Sequence, residues 1–281
     1  MRRPVSSRFA VVLAGIAAVA CTKAEKPADQ AAVAPPAAPA APNVVHVEAA
    51  DYSFTAPDSI PSGVTTFHMM NGGKEAHQVI IFKASIEDMK KMNPNGPAPA
   101  DLVVVGGPNA AMPGGTAEAT LDIAPGTYTM MYLIPSADGK PHAMKGMMRA
   151  LTVTQGTSTA VMPTPDITAK LTDYAFEFSA PLTAGHHVIR IENAGPQNHE
   201  MVFIKLDSGK KIEEFAKWAL SMKGPPPGAP INGGGVMSVG GVNTVQVDLT
   251  PGDYGVLCFV TDAKDKKPHL MHGMVKQITV T

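Results

Sequence analysis

Four landmarks recur in the same order in the two halves of this chain, and that repeat limits the fold more than any other feature. Asp51-Tyr52-Ser53-Phe54 answers Asp173-Tyr174-Ala175-Phe176, and the run from Gly63 through Asn71 to His77 answers Gly185 through Asn193 to His199. Leu121 to Tyr128 answers Val247 to Tyr254, both holding a Pro-Gly-x-Tyr turn. Lys140-Pro141-His142 with Met144, Gly146 and Met147 answers Lys267-Pro268-His269 with Met271, Gly273 and Met274. Collinear landmarks of this kind mark duplication of one unit, so the fold must be one that about half the chain can adopt.

Within each copy the apolar residues alternate with polar ones. Val245-Gln246-Val247-Asp248-Leu249 is the clearest run, and Pro251-Gly252 turns it into Tyr254 to Val260. Short alternating runs punctuated by Gly and Pro, 26 of each, predict antiparallel strands packed as a sandwich. Lys210 to Met222 departs from this rhythm, with Ile212, Phe215, Ala216, Trp218, Ala219 and Met222 at helical spacing. Ser85 to Met92 is its shorter counterpart. The expected architecture is all-β, with two tandem sandwiches at residues 44–154 and 166–281, a linker at 155–165, and a short helix inserted in each.

The leader is expected to lie outside the fold. Arg2, Arg3 and Arg8 precede an apolar stretch, Phe9 to Ala20, that is too short for a comfortable membrane span. Residues 1–20 therefore read as a signal peptide. Ala18-Val19-Ala20-Cys21 resembles a bacterial lipobox, which implies cleavage before Cys21 and a lipid on its sulfur. Residues 21–43, rich in Ala and Pro, read as a tether. The expected location is the bacterial cell envelope, with the membrane touched only through the lipid. Thr22 after the cysteine points to the outer membrane, facing the periplasm. Removing three leader arginines leaves a mildly acidic protein, since the whole chain has 23 basic and 24 acidic residues. Nucleic acid is not an expected partner.

With Cys21 acylated, Cys258 is the one remaining thiol, so no intrachain disulfide can form. An unpaired cysteine in an oxidising compartment is either a buried strand residue or the ligand of something. Three landmarks surround it in the second copy. His199 lies upstream at a strand junction, Tyr254 starts the strand before it, and His269-Leu270-Met271-His272-Gly273-Met274 follows it.

This order resembles the cupredoxins, small Greek-key sandwiches that bind one copper, and within them the pseudoazurin and plastocyanin type. The resemblance implies His199, Cys258 and His269 as the equatorial ligands. It places His272 where the family has its axial Met, with Met271 and Met274 as alternatives. A thiolate and two imidazoles with a weak fourth ligand hold copper between the preferences of its two oxidation states, which suits single-electron transfer. The implied partner is a redox protein. Ten residues, Phe259 to Pro268, separate the cysteine from the second histidine, more than the family usually places there. The first copy keeps His77 and His142 but has Tyr132 opposite Cys258 and Lys145 opposite His272, so a weak or vestigial site is expected there. His46, His68, His186 and His187 show no convergent pattern.

Two other functions stay open: buffering or delivery of Cu(I) through His and Met, and a metal-free binding or structural module of the envelope. The 17 methionines suit the first, although several fall at strand positions where Met fills core gaps. Leu257 and Phe259 flank Cys258, so the histidine that relays electrons to a second copper centre in two-domain copper enzymes is missing. The chain is expected not to be an enzyme.

Overall fold

The computed structural model describes residues 40–92, 99, 101–136 and 138–281. The expected signal peptide, the expected lipidation at Cys21 and the expected tether up to residue 39 lie outside the described residues.

The first half contributes β1 (Asn43–Ala50), β2 (Ser53–Thr55), β3 (Ser59–Pro61), β4 (Gly63–Asn71), β5 (Ile80–Phe82), β6 (Val104–Gly106), β7 (Thr116–Ile123), β8 (Gly126–Met131) and β9 (Met148–Thr154). The second contributes β10 (Ile167–Thr172), β11 (Ala175–Phe178), β12 (Gly185–Asn193), β13 (His199–Leu206), β14 (Gly228–Met237), β15 (Val242–Leu249), β16 (Gly252–Leu257) and β17 (Val275–Val280). Every second residue of β1 from Val45 to Ala49 is buried and its neighbours face water, as a half-buried strand requires. The inserted helices are α1 (Ile86–Lys91) and α2 (Ile212–Ser221). The Ser85 hydroxyl accepts from the Asp88 amide and caps α1. α2 buries Ile212, Phe215 and Ala216, packing against Val202, Ile204 and Leu257.

Each repeated Pro-Gly-x-Tyr turn does the same job. Tyr128 donates to the Ala124 carbonyl at 2.8 Å and Tyr254 to that of Thr250 at 2.9 Å, fastening the turn to the strand it starts. The glycines, Gly126 and Gly252, have φ of 153° and 148°, a conformation that side chains disfavour.

The two halves are joined through their sheets. One sheet runs β11-β10-β12-β15-β7-β4-β1-β2 and the other β17-β16-β13-β14-β6-β5-β8-β9-β3. The order of equivalent strands reverses at the middle of each, which is the signature of an approximate two-fold axis between the halves. Thr244 of β15 faces Thr120 of β7, and Met237 of β14 faces Val105 of β6. Asn243 reinforces the seam, accepting from the Gly107 amide and donating to the Val105 carbonyl, both at 3.0 Å. One buried apolar cluster spans the seam, from Phe67 and Tyr128 to Phe203 and Tyr254. The fold is all-β and cupredoxin-like in its strand order, with the repeats fused rather than strung.

Candidate metal centre

Three segments of the second half converge at one end of the sandwich. β13 opens on His199, β16 delivers Cys258 one residue past its end, and a 3-10 turn, His269–His272, precedes β17. The Cys258 carbonyl accepts from the Leu270 amide at 2.9 Å, and its amide donates to the Met274 carbonyl at 3.3 Å. The ten-residue loop between Cys258 and His269 folds back on itself. Thr261 lies opposite Pro268, and the His269 amide donates to the Val260 carbonyl at 2.8 Å. Buried Asp262 pins this hairpin. One of its oxygens accepts from the Lys264 and Asp265 amides, the other from the Tyr174 hydroxyl and the Gln197 amide. The Tyr174 and Gln197 bonds hold its carboxyl well below the usual range. The closure entropy of a long loop is thus met by specific bonds.

Cys258 Sγ lies 4.0 Å from His199 Nδ1 and 3.6 Å from His269 Nδ1, and the two nitrogens are 3.1 Å apart. All three side chains are fully buried. The point equidistant from the three atoms is about 2.1 Å from each, close to a metal–imidazole bond and slightly under a metal–thiolate one. The triangle therefore already has the size of a trigonal metal site, and one thiolate with two imidazoles is a donor set that fits copper.

The surroundings set the protonation states. His199 Nε2 donates to Asp173 Oδ1 at 2.7 Å, which fixes the tautomer and turns the Nδ1 lone pair toward the cluster. Gly195 makes room for this pair: a Cβ there would stand 2.6 Å from His199 Nε2. Burial lowers the pKa of His199 and of His269, so both rings are held neutral, as ligands must be. His269 Nε2 is buried without a hydrogen-bond partner, 4.0 Å from Asp262 Oδ2. Burial, with the Glu200 charge added, pushes the Cys258 thiol far up, so the metal-free cysteine is a neutral thiol.

The expectation of His272 as a fourth ligand is not met. Its ring stacks on Tyr174 at 4.8 Å and its Nε2 meets Asp265 Oδ1 at 3.1 Å, on the outside of the site. Tyr174 also packs edge-on against His269 at 5.2 Å and so stands between the two histidines. Met271 is exposed. Gly273, at φ 94°, ends the 3-10 turn and sends the chain back inward, and Met274 is fully buried in the same cluster as Cys258.

In the first half, His77, Tyr132 and His142 occupy the equivalent positions with ring centroids 4.7–5.3 Å apart. His77 Nε2 meets Asp51 Oδ1 at 3.1 Å, as His199 meets Asp173. Here the likeness ends. His142 Nδ1 is turned to the Ile134 carbonyl at 2.8 Å, and the Tyr132 hydroxyl donates to the Ala76 carbonyl at 2.6 Å. His142 Nε2 faces Glu75 Oε2 at 3.4 Å, and among the described residues no three ligating atoms gather around this pair as they do around Cys258.

Sequence reasoning missed Asp173 as a functional residue, although its place in the first repeated landmark was a signal. It also missed Glu200, next to His199. Glu200 accepts from the Phe259 amide at 3.2 Å, beside Cys258, and from Asn109 of the other half at 3.4 Å. Burial pushes its pKa up to about 7. No single-sequence signal marks it, because Phe259 is far along the chain and Asn109 reaches it from across the seam.

No family model matches the chain, and no curated protein does. Solved structures do. A reduced auracyanin from Roseiflexus castenholzii is 22% identical over 41% of this chain and 99% of its own, with a TM-score of 0.31. Auracyanin A of Chloroflexus aurantiacus, a blue copper protein, is 18% identical over 40% of this chain and 99% of its own, with a TM-score of 0.32. A blue copper oxidase from Nitrosomonas europaea is 16% identical over 85% of each chain, with a TM-score of 0.25. These findings correct the expectation that the chain is not an enzyme. The oxidase stands beside another multicopper oxidase, a copper-containing nitrite reductase and a laccase, all matched over 79–85% of this chain.

Proposed function

We propose that the second half binds one copper ion through His199, Cys258 and His269, with Met274 as the weak fourth ligand, and that the protein passes single electrons to and from a redox partner. The observation that carries this reading is the buried triangle of one sulfur and two nitrogens, sized for one metal ion. Copper bound there supplies a one-electron couple. The residues supply the rest: Asp173 orients His199, Asp262 and its hairpin hold His269, and the bonds of Cys258 to the 3-10 turn fix the sulfur. Because the loop is pinned before any metal arrives, little rearrangement is needed when the charge on the site changes. Full burial of the donors favours a retained ion over one handed on. His269 is covered by the Tyr174 ring, with His272 stacked outside it, so a partner docked there is separated from a ligand by those two rings.

The wider setting belongs to the same proposal: export, a lipid on Cys21, and an outer-membrane position facing the periplasm, with the first half as scaffold or docking surface. Protein-film voltammetry on the copper-loaded chain tests the function. A reversible one-electron wave, lost in Cys258→Ser, is expected; a copper-loaded protein with no reversible wave refutes the electron-transfer role.

A further inference from the structure

We propose that His46, His68 and Glu118 form a second metal site, on the solvent face of the sheet that holds β1, β4, β7 and β15, for a divalent ion that prefers imidazole, such as Cu(II) or Zn(II). This rests on observations separate from the buried cluster. In the sequence these residues lie far apart. The strand register lines them up: His46 of β1 is directly opposite His68 of β4, and His68 directly opposite Glu118 of β7. Adjacent strands lie about 4.7–4.9 Å apart, so the three side chains stand in a row with His68 in the middle, and a turn of the outer two toward it would bring all three over one ion. His68 touches both of its neighbours, and closing the three donors on an ion needs only side-chain rotation at this open face. The two imidazoles meet edge to face at 5.7 Å, and His68 Nδ1 is 3.5 Å from Glu118 Oε2.

Glu118 is held in place by a hydrogen bond from Gln246 across the seam, at 3.0 Å, which is the outer-shell support that ligating carboxylates generally have. His68 and Glu118 also form one wall of a cleft of about 340 Å³ that straddles the seam, with His186 and Asp248 on the other wall. The lining carries two carboxylates and no lysine or arginine, so its field favours a cation. Two imidazoles and a carboxylate, open to solvent on the remaining side, are a donor set for borderline divalent metals with free coordination positions. The site uses no residue of the thiolate cluster and needs neither a thiol nor a change of oxidation state.

The test uses the full chain with Cys258→Ser, so that the thiolate signal is absent, titrated with Cu(II) and followed by electron paramagnetic resonance. A Cu(II) signal with couplings to two imidazole nitrogens is expected. His46→Ala and His68→Ala, made in the same background, should each weaken uptake of that equivalent at least tenfold, since losing a ligand costs no less than the roughly 10–100-fold of losing an outer-shell partner. Glu118→Gln should weaken it less. Any copper held by His199 and His269 is common to all these variants and cancels. Uptake unchanged by both His46→Ala and His68→Ala overturns the proposal. The blue-copper reading is tested in the unsubstituted protein, so either idea can fail alone.

Discussion

Replacing Glu200 by glutamine should abolish one pH-dependent component of the stability of the metal-free protein. Glu200 is 4% exposed, and burial pushes its pKa from the ordinary 4.5 up to about 7. Between those two values the folded state holds a proton that the unfolded state has released, so stability falls as pH rises. The contribution is fully present below pH 4.5 and is gone above about pH 7. Each tenfold change in proton affinity between the two states is worth about 1.36 kcal/mol, so the swing is about 3 kcal/mol. In a chain of this size that corresponds to roughly 6–12 °C in melting temperature. Glutamine keeps an oxygen for the Phe259 amide and cannot ionise, and Gln78 already occupies the equivalent position in the first half. His199 and His269 act with the opposite sign. Their lowered pKa values make stability fall as pH drops below the unfolded value near 6.5, but both proteins share that effect. Melting curves of the wild type and Glu200→Gln from pH 4.5 to 8 give the difference directly. The variant should gain steadily on the wild type as pH rises. Parallel curves would refute the placement of this carboxyl in the seam.

Three further outcomes follow from the site. Asp173→Asn removes the carboxylate that fixes the His199 tautomer and should weaken copper binding about 10–100-fold while the protein stays folded, as read by chelator competition and circular dichroism. Copper uptake near neutral pH should release about one proton, because the buried thiol is neutral and both imidazoles already are, as calorimetry in buffers of different ionisation enthalpy would show. His272→Ala should leave the visible spectrum of the copper form in place, whereas Met274→Ala should shift it; the reverse result would restore His272 as a ligand.

The duplication and the strand pattern were legible in the sequence because turns and alternating apolar residues are local. The three cluster residues were legible through their types and order. What was hidden depends on long-range pairing. The shared sheets arise where β7 meets β15 and β6 meets β14, and no local pattern says which strand edges will join. The pinning of the long loop depends on Tyr174 and Gln197, which are distant in sequence from Asp262. His272 was misplaced because spacing alone does not show that a left-handed glycine, Gly273, ends the turn, nor that Tyr174 stands in between. His46, His68 and Glu118 looked unrelated until the register set them side by side.

Copper titration of the full chain, with metal analysis and visible absorption, bears most directly on whether one sulfur and two imidazoles share an ion. An intense thiolate-to-copper band that saturates at one equivalent and is absent from Cys258→Ser is the predicted result. A wild-type protein that takes up copper with no such band, or the same band in the serine variant, would contradict it.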